Sequence, residues 1–254
     1  MSRYFLEVAY KGKGYSGFQI QQNAVTIQSE VEKALLIYCK KAIELTGSSR
    51  TDAGVHATQN FFHFDTDRVF TDKEIYHLNA ILPSAIVIKN IIPVTEDAHC
   101  RFDAIAREYY YHIYQHKDPF LEEYAWYYPY KLNLNILNQT AAILLRHNDF
   151  TSFSKRNTQV NNFQCSILIS EWIIESDSLQ YHVKGNRFLR GMVRGLVGTM
   201  LKAAIGKITV EQFEEIILQK DCTKADFTSP SHGLFLHKVH FPDTLFLNAN
   251  PVAE

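Results

Sequence analysis

The amino-acid sequence predicts an α+β fold built in two parts. Segments in which apolar and polar residues alternate, as in a half-buried strand, take turns with segments whose apolar residues recur every three to four positions, as in a helix. The pattern runs strand, loop, helix, strand, helix, strand over residues 1–105 and resumes in similar proportion over residues 106–254. No segment repeats at a fixed period. We therefore expect two α+β halves, each with an antiparallel or mixed sheet.

In the first half, each predicted element has a local cause. Thr26 can cap a helix, and Pro93 is expected to stop a buried strand. The predicted order is a strand at 4–10, a glycine-rich loop at 11–23, a helix at 26–41, a polar stretch at 47–57, a strand at 60–65, a helix at 71–81 and a strand at 86–92. The loop carries Lys11 and Lys13 among aromatic and amide side chains, which suits either contact with RNA or plain solvation.

In the second half, an aromatic strand at 107–114 opens the pattern, and alternation puts Tyr109 and Tyr111 on one of its faces. Asn133 can cap a helix, and Thr209 with Gln212 can form a capping box for another. The remaining predictions are a helix at 134–147, a polar loop at 154–162, strands at 166–175 and 179–184 joined by a turn at 176–178, helices at 187–205 and 209–219, and a strand at 234–241.

Composition limits the class of protein. The 254 residues are 46% hydrophobic and 21% charged, which allows a sizeable core. No apolar run reaches the roughly 20 residues of a membrane span, and the first residues show no signal-peptide pattern. The four cysteines are widely spaced, so we expect reduced thiols, no metal site and a cytoplasmic location. The net charge of −1 means that an RNA site must come from a local basic patch.

The stretch 47–57, with sequence GSSRTDAGVHA, has almost no apolar content. Such a loop is stable only where solvent or a ligand satisfies its polar groups. By residue type alone, Asp52 is better explained as a turn residue bonded to its own backbone. The other interpretation is a functional carboxylate, which Arg50 would keep ionised, as a nucleophile or general base must be.

The predicted helix at 187–205 combines a broad apolar arc with a basic face of Arg187, Arg190, Arg194 and Lys202. Three glycines, at 191, 195 and 198, lie among these cations, and each costs a helix about 1 kcal/mol relative to alanine. Two interpretations are open: a solvated basic face, or close approach by another backbone or a ligand.

Motifs of several enzyme classes are absent from the sequence. No second carboxylate has a context like that of Asp52, which argues against a paired-acid glycoside hydrolase. There is no P-loop and no G-x-G-x-x-G after a strand, so we expect no nucleotide cofactor.

Residues 50–57, RTDAGVHA, resemble the signature of the bacterial tRNA pseudouridine synthase A family. Further blocks similar to this family lie, in its order, at 10–21, 78–83, 99–104 (with Arg107 and Tyr109), 149–153, 188–198 and 233–236. One block could arise by chance, whereas an ordered series that spans nearly the whole chain is specific.

The resemblance implies two ferredoxin-like (RRM-like) halves, whose antiparallel sheets join around a central basic cleft, and a homodimer without a cofactor. It implies a tRNA substrate, modified at uridines 38–40 of the anticodon stem-loop. Asp52 corresponds to the catalytic aspartate, Tyr109 to the tyrosine that packs on the target base, and Arg194 to the arginine that pairs with the aspartate. Arg50 would support the site. Candidate tRNA contacts are Lys11, Lys13, Arg101, Arg187, Arg190 and Lys202.

Four residues depart from the family pattern. Ser49, Lys11, Phe18 and Tyr110 stand where glycine, aspartate, tryptophan and arginine are usual. None of these changes removes a catalytic group that the resemblance implies. Lys11 and Tyr110 bear on tRNA contacts, and Ser49 bears on the backbone just before Asp52.

Two other functions fit parts of the pattern. Aromatic ferredoxin-like sheets also occur in non-catalytic RNA-binding modules, but such a module has no use for a carboxylate near phosphate groups. An RNA N-glycosidase would also place one carboxylate near C1′. Its product would be free uracil rather than a rearranged nucleoside.

Overall fold

The computed structural model describes residues 1–156, 162–175 and 178–247. Within these residues it contains five α-helices and nine strands, and the strands pair almost entirely antiparallel, so the α+β class is confirmed. Contacts divide the chain into two compact units, Met1–Ile105 with the residues from Leu236 onward, and Ala106–Phe235. The central part of the predicted loop at 154–162 and most of the turn at 176–178 lie outside the described residues.

The first unit is built on a central strand with a partner on each side. The strands are β1 (Ser2–Tyr10), β2 (Thr46–Gly47), β3 (His56–Thr66) and β4 (Ile86–Val94). β1 pairs antiparallel with both β3 and β4, and the short β2 pairs with β3. The helices are α1 (Ile27–Cys39) and α2 (Asp72–Ile81). Apolar side chains of β1, such as Phe5, Leu6 and Val8, are completely buried and form the core.

Local signals placed these elements well, with one exception. Thr26 caps α1, as predicted, by accepting a hydrogen bond from the backbone N–H of Ser29. The predicted end of the fourth strand before Pro93 is wrong, because β4 continues to Val94. β4 is an edge strand next to β1, and an edge position tolerates a proline that has no N–H to donate.

Among its described residues, the second unit has a sheet of three long strands and one two-residue strand, with three helices. Its strands are β5 (Ala106–Tyr114), β6 (Trp126–Tyr127), β7 (Ile167–Glu175) and β8 (Ser178–Gly185). β8 lies between β5 and β7 and is antiparallel to both, while the two-residue β6 pairs with β5 in parallel. The helices are α3 (Leu134–Ile143), α4 (Met192–Ala204) and α5 (Val210–Gln219). The last strand, β9 (Leu234–His240), begins in this unit and continues in the first.

The caps predicted for α3 and α5 are present, and the second is the full capping box of Thr209 and Gln212. α3 is shorter than predicted and passes into one turn of 3-10 helix, Leu144–Arg146. No helix in the described part of the chain is long and apolar enough to cross a membrane.

The helix predicted at 187–205 begins only at Met192. Gly191 has a φ of 73°, in the left-handed region, which interrupts helical backbone before this point. Arg187 and Arg190 therefore precede α4, and the prediction that they share one helical face with Arg194 is wrong. The sequence pattern remained helical across this break because its apolar residues continue at the same spacing.

Candidate active-site loop

The polar stretch 47–57 leaves β2 at Gly47 and enters β3 at His56. Within it the backbone makes a turn, in which the N–H of Val55 donates to the carbonyl oxygen of Asp52 at 3.2 Å. Gly54 occupies this turn with a φ of 80°, a conformation that glycine adopts without steric cost. Asp52 therefore starts a defined turn, and its side chain is partly exposed to solvent.

The glycine-rich loop at 11–23 contacts the polar stretch on both sides of Asp52. The N–H of Phe18 donates to the carbonyl oxygen of Thr51 at 3.1 Å, and the N–H of Gly12 donates to Nδ1 of buried His56 at 3.2 Å. A Cβ atom on Gly12 would lie only 2.0 Å from the carbonyl oxygen of Val55. Glycine at position 12 is thus required for the observed approach of the two backbones.

A buried side-chain network supports the segment just before Asp52. The side-chain oxygen of Asn60 accepts hydrogen bonds from the N–H groups of Ser49 and Phe61. Its nitrogen donates to the carbonyl oxygen of Ser49 at 2.9 Å and to the phenol oxygen of Tyr10 at 3.1 Å. The Tyr10 hydroxyl is also 2.8 Å from Oγ1 of Thr51. No pattern in the sequence indicated this role of Asn60, because a polar residue in a strand normally predicts an exposed position.

Two departures from the family pattern have a simple structural account. Among the described residues other than glycine, positive φ values occur at Asn23, Lys40 and Lys220, so Ser49 does not adopt a backbone conformation that requires glycine. Phe18 is fully buried and stacks on Phe62 with ring centroids 4.4 Å apart, so its role is to pack.

The four candidate RNA-contacting or supporting cations of the first unit, Lys11, Lys13, Arg50 and Arg101, all have exposed side chains. Nη1 of Arg50 lies 3.5 Å from the side-chain oxygen of Gln19 in the glycine-rich loop. The guanidinium of Arg101 lies over the ring of Phe102, 5.6 Å from its centroid. These cations share the unit that carries Asp52.

In the second unit, Tyr109 lies on β5 opposite Val183 of β8. Its ring contacts that of Phe188 in a T-shaped arrangement, with centroids 5.1 Å apart, and remains partly exposed. Arg187 directly precedes Phe188 in the sequence and is also partly exposed, whereas Arg190 is exposed. Tyr109 and Tyr111 pair with Val183 and Tyr181, two positions apart on each strand, so they lie on the same face of β5, as predicted.

Arg194 is held from one side by the segment that precedes β9. Its Nε donates to the carbonyl oxygen of Ser229 at 2.6 Å. Burial raises the pKa of the nearby Tyr111 phenol above its usual range, against the opposing effect of the Arg194 charge, so this phenol stays protonated. The Tyr111 hydroxyl donates a hydrogen bond to the carbonyl oxygen of Pro230 at 2.8 Å.

The glycines of α4 are explained by close packing of protein. A Cβ atom on Gly198 would lie 2.4 Å from the carbonyl oxygen of Asp226, and one on Gly195 would lie 2.8 Å from the ring of Phe227. Of the two interpretations of these glycines, close approach by another backbone is therefore the one confirmed for Gly198. Nζ of Lys202 forms an ion pair with the Asp226 carboxylate at 3.0 Å, so Lys202 already has an anionic partner.

Within the described residues, no group of three or more histidine, cysteine, aspartate or glutamate side chains could hold a metal ion. In the first unit, the Asp52 carboxylate lies at the start of the turn described above and is partly exposed. An exposed carboxylate on a braced turn can act as a nucleophile or as a general base.

Comparison with known proteins identifies the family to which this chain belongs. The model of a family described as tRNA pseudouridine synthase matches residues 7–103 and 141–242. A protein of Parabacteroides distasonis named tRNA pseudouridine synthase A is 40% identical over 248 residues, which cover 97% of this chain and 98% of that protein. Proteins of the same name from Azobacteroides pseudotrichonymphae and Staphylococcus aureus strain Newman are 39% and 36% identical, over 98% and 96% of this chain and 100% and 93% of their own lengths. The chain therefore belongs to the tRNA pseudouridine synthase family, a family of isomerases.

Proposed function

We propose that this protein isomerises uridine to pseudouridine at positions 38–40 of the tRNA anticodon stem-loop, with Asp52 as its catalytic residue. Membership of the family supports a tRNA substrate and an isomerase activity. The observation that carries the catalytic assignment is the partly exposed carboxylate of Asp52 at the start of a turn that the glycine-rich loop holds on both sides, through the N–H groups of Phe18 and Gly12.

The reaction breaks the N1–C1′ bond, rotates the uracil and forms a C1′–C5 bond. C5 loses a proton and N1 gains one, so atoms and electrons balance without an oxidant, a reductant or an energy source. The ionised Asp52 carboxylate would attack C1′, attack C6 or remove the C2′ proton. All three routes require the anion, and Arg194 would keep it ionised by pairing with it.

The target uridine must leave its stack before the glycosidic bond can be broken and the uracil rotated, at a cost of a few kcal/mol. Tyr109 would offset part of that cost by stacking on the base, an interaction worth about 1–3 kcal/mol. The edge contact with Phe188 restricts the Tyr109 ring while leaving part of it exposed, which supports this role. The C5 proton would leave through Tyr109, Asp52 or water.

We further propose that the chain forms two ferredoxin-like halves whose sheets join around a basic cleft. The half at 1–105 would carry the catalytic loop, and the half at 106–254 would carry the tyrosine strand. The protein would act as a cytoplasmic homodimer on tRNA. We retain as candidate tRNA contacts Lys11, Lys13, Arg101, Arg187 and Arg190. Lys202 is a weaker candidate, because Asp226 competes with phosphate for its charge.

The test is tritium release from C5-labelled uridine in an anticodon stem-loop RNA, in parallel with tRNA binding. We expect turnover by the wild-type protein and none by Asp52→Asn, which keeps the shape of the side chain and removes its charge. Asp52→Asn should still bind tRNA. Substantial turnover by that variant would contradict the catalytic assignment. Free uracil as the product would point to an N-glycosidase, and binding without any product to a non-catalytic RNA-binding protein.

A further inference from the structure

We propose that Asn60 and Tyr10 are positioning residues for Asp52, which act on it through Ser49 and Thr51. The inference rests on the proposed function, because Asp52 must be the catalytic residue for its position to matter. Both side chains come from strands of the first unit, and Val8 of β1 faces Asn60 of β3 in the register. Asn60 is 0% exposed and Tyr10 is 5% exposed, so water does not replace their hydrogen bonds.

The orientation of the Asn60 amide follows from its partners. Its oxygen faces two N–H donors, those of Ser49 and Phe61, at 3.3 and 2.9 Å. Its nitrogen faces two oxygens, the Ser49 carbonyl and the Tyr10 phenol. Exchange of the two amide atoms would place N–H groups against N–H groups, so only the observed orientation satisfies the site. Asn60 thereby holds both backbone groups of Ser49, as a neighbouring strand would.

The network then continues from Tyr10 to Thr51, the residue before the carboxylate. Asn60 donates to the phenol oxygen of Tyr10, and the Tyr10 hydroxyl is hydrogen-bonded to Oγ1 of Thr51, 2.8 Å away, where either hydroxyl can donate. Thr51 directly precedes Asp52, and its carbonyl oxygen accepts a bond from the N–H of Phe18. The residue before the carboxylate is therefore fixed by its side chain to β1 and by its backbone to the glycine-rich loop.

Such an arrangement suits positioning, because catalytic geometry is best held by rigid elements through buried hydrogen bonds. Removal of the Tyr10 hydroxyl should release Thr51 without opening the core, since the ring would still stack on that of Phe18 at 5.7 Å. The expected effect is a lower kcat with little change in the KM for tRNA. A displacement of about 1 Å can reduce a catalytic rate about 100-fold, so we expect a loss of about 10- to 100-fold.

The experiment compares Tyr10→Phe with Tyr4→Phe. Tyr4 lies on the same strand, is 6% exposed and packs against Phe64 and Phe70, away from the loop. Tyr4→Phe should keep kcat within about twofold of wild type, whereas Tyr10→Phe should lose about 10- to 100-fold. Thr51→Val should also lower kcat, and the double variant should lose no more than Tyr10→Phe alone, because Tyr10→Phe already lacks the bond that Thr51→Val removes.

A second measurement does not depend on turnover. Amide hydrogen exchange over residues 47–57 should be faster in Tyr10→Phe than in Tyr4→Phe by at least about fivefold, since local opening becomes easier. A Tyr10→Phe protein with the kcat of wild type, or with loop exchange equal to that of Tyr4→Phe, would overturn the inference. If the wild-type protein itself releases no tritium, the proposed function fails, and the exchange measurement still decides whether the network holds the loop.

Discussion

Replacement of Gly12 by alanine should displace the loop that carries Asp52. The new Cβ atom would lie 2.0 Å from the carbonyl oxygen and 2.6 Å from the carbonyl carbon of Val55, where contacts under 3.0 Å essentially never occur. The two backbones must therefore move apart by about 1 Å. A shift of that size lengthens the 3.2 Å bond between the Gly12 N–H and Nδ1 of His56 beyond hydrogen-bonding range.

The cost of this change has two parts. Overpacking of a well-packed contact costs about 1–3 kcal/mol. A buried His56 nitrogen without its donor costs about 1–3 kcal/mol more. We therefore expect the free energy of unfolding to fall by about 2–6 kcal/mol and kcat to fall about 100-fold, because Val55 accompanies Asp52 in the same turn.

Urea unfolding and tritium release from anticodon stem-loop RNA would measure the two effects. Gly206→Ala is the matched control, since Gly206 has a φ of 77° with no atom within 4 Å of an added Cβ. That variant should lose about 1–2 kcal/mol of stability from backbone strain alone and keep the kcat of wild type. If Gly12→Ala retained kcat within twofold of wild type, close contact of the two loops would be unnecessary for catalysis.

Three further predictions concern other parts of the molecule. Tyr109→Phe should still bind tRNA, and a kcat equal to that of wild type would leave only a stacking role for the ring; single-turnover assays would decide. Arg190→Gln should reduce the slope of log Kd against log salt for tRNA by about 1. Lys202→Gln should change that slope less, because Lys202 is paired with Asp226. Filter binding at several salt concentrations would measure both slopes, and equal changes would contradict this reasoning. Burial lowers the pKa of His63 to about 4 from 6.5, so the unfolded chain binds the proton more tightly and stability should fall as pH drops from about 6.5 to 4, by up to about 3 kcal/mol. His63→Gln should flatten that part of the pH profile of urea unfolding, and an unchanged profile would exclude His63 as its source.

Local signals in the sequence predicted most elements because their causes are local. Thr26 and Thr209 cap helices through bonds to residues three positions on, so the sequence alone contains both partners. The errors have causes that are not local. β4 could include Pro93 because it lies at a sheet edge, and α4 was shortened by the left-handed backbone at Gly191, which apolar spacing does not reveal.

The candidate site, too, has parts that the sequence predicted and parts that the structure corrected. The polar stretch around Asp52 and its ordered neighbouring blocks identified the family from sequence, and the comparisons confirmed it. The roles of Asp52, Tyr109 and Arg194 stay predictions. The structure corrected the basic face expected of α4, from which Arg187 and Arg190 are excluded by the later start of that helix.

The fold class, the family and the loop that carries Asp52 could be predicted from the sequence, because each leaves a pattern among residues close together in the chain. The contacts that hold that loop became visible only in the folded chain. Tyr10 reaches Thr51 across 41 positions and Asn60 across 50, and Gly12 meets Val55 from a separate loop. Such contacts depend on which strands pair and in which register, and no local pattern in the sequence specifies that.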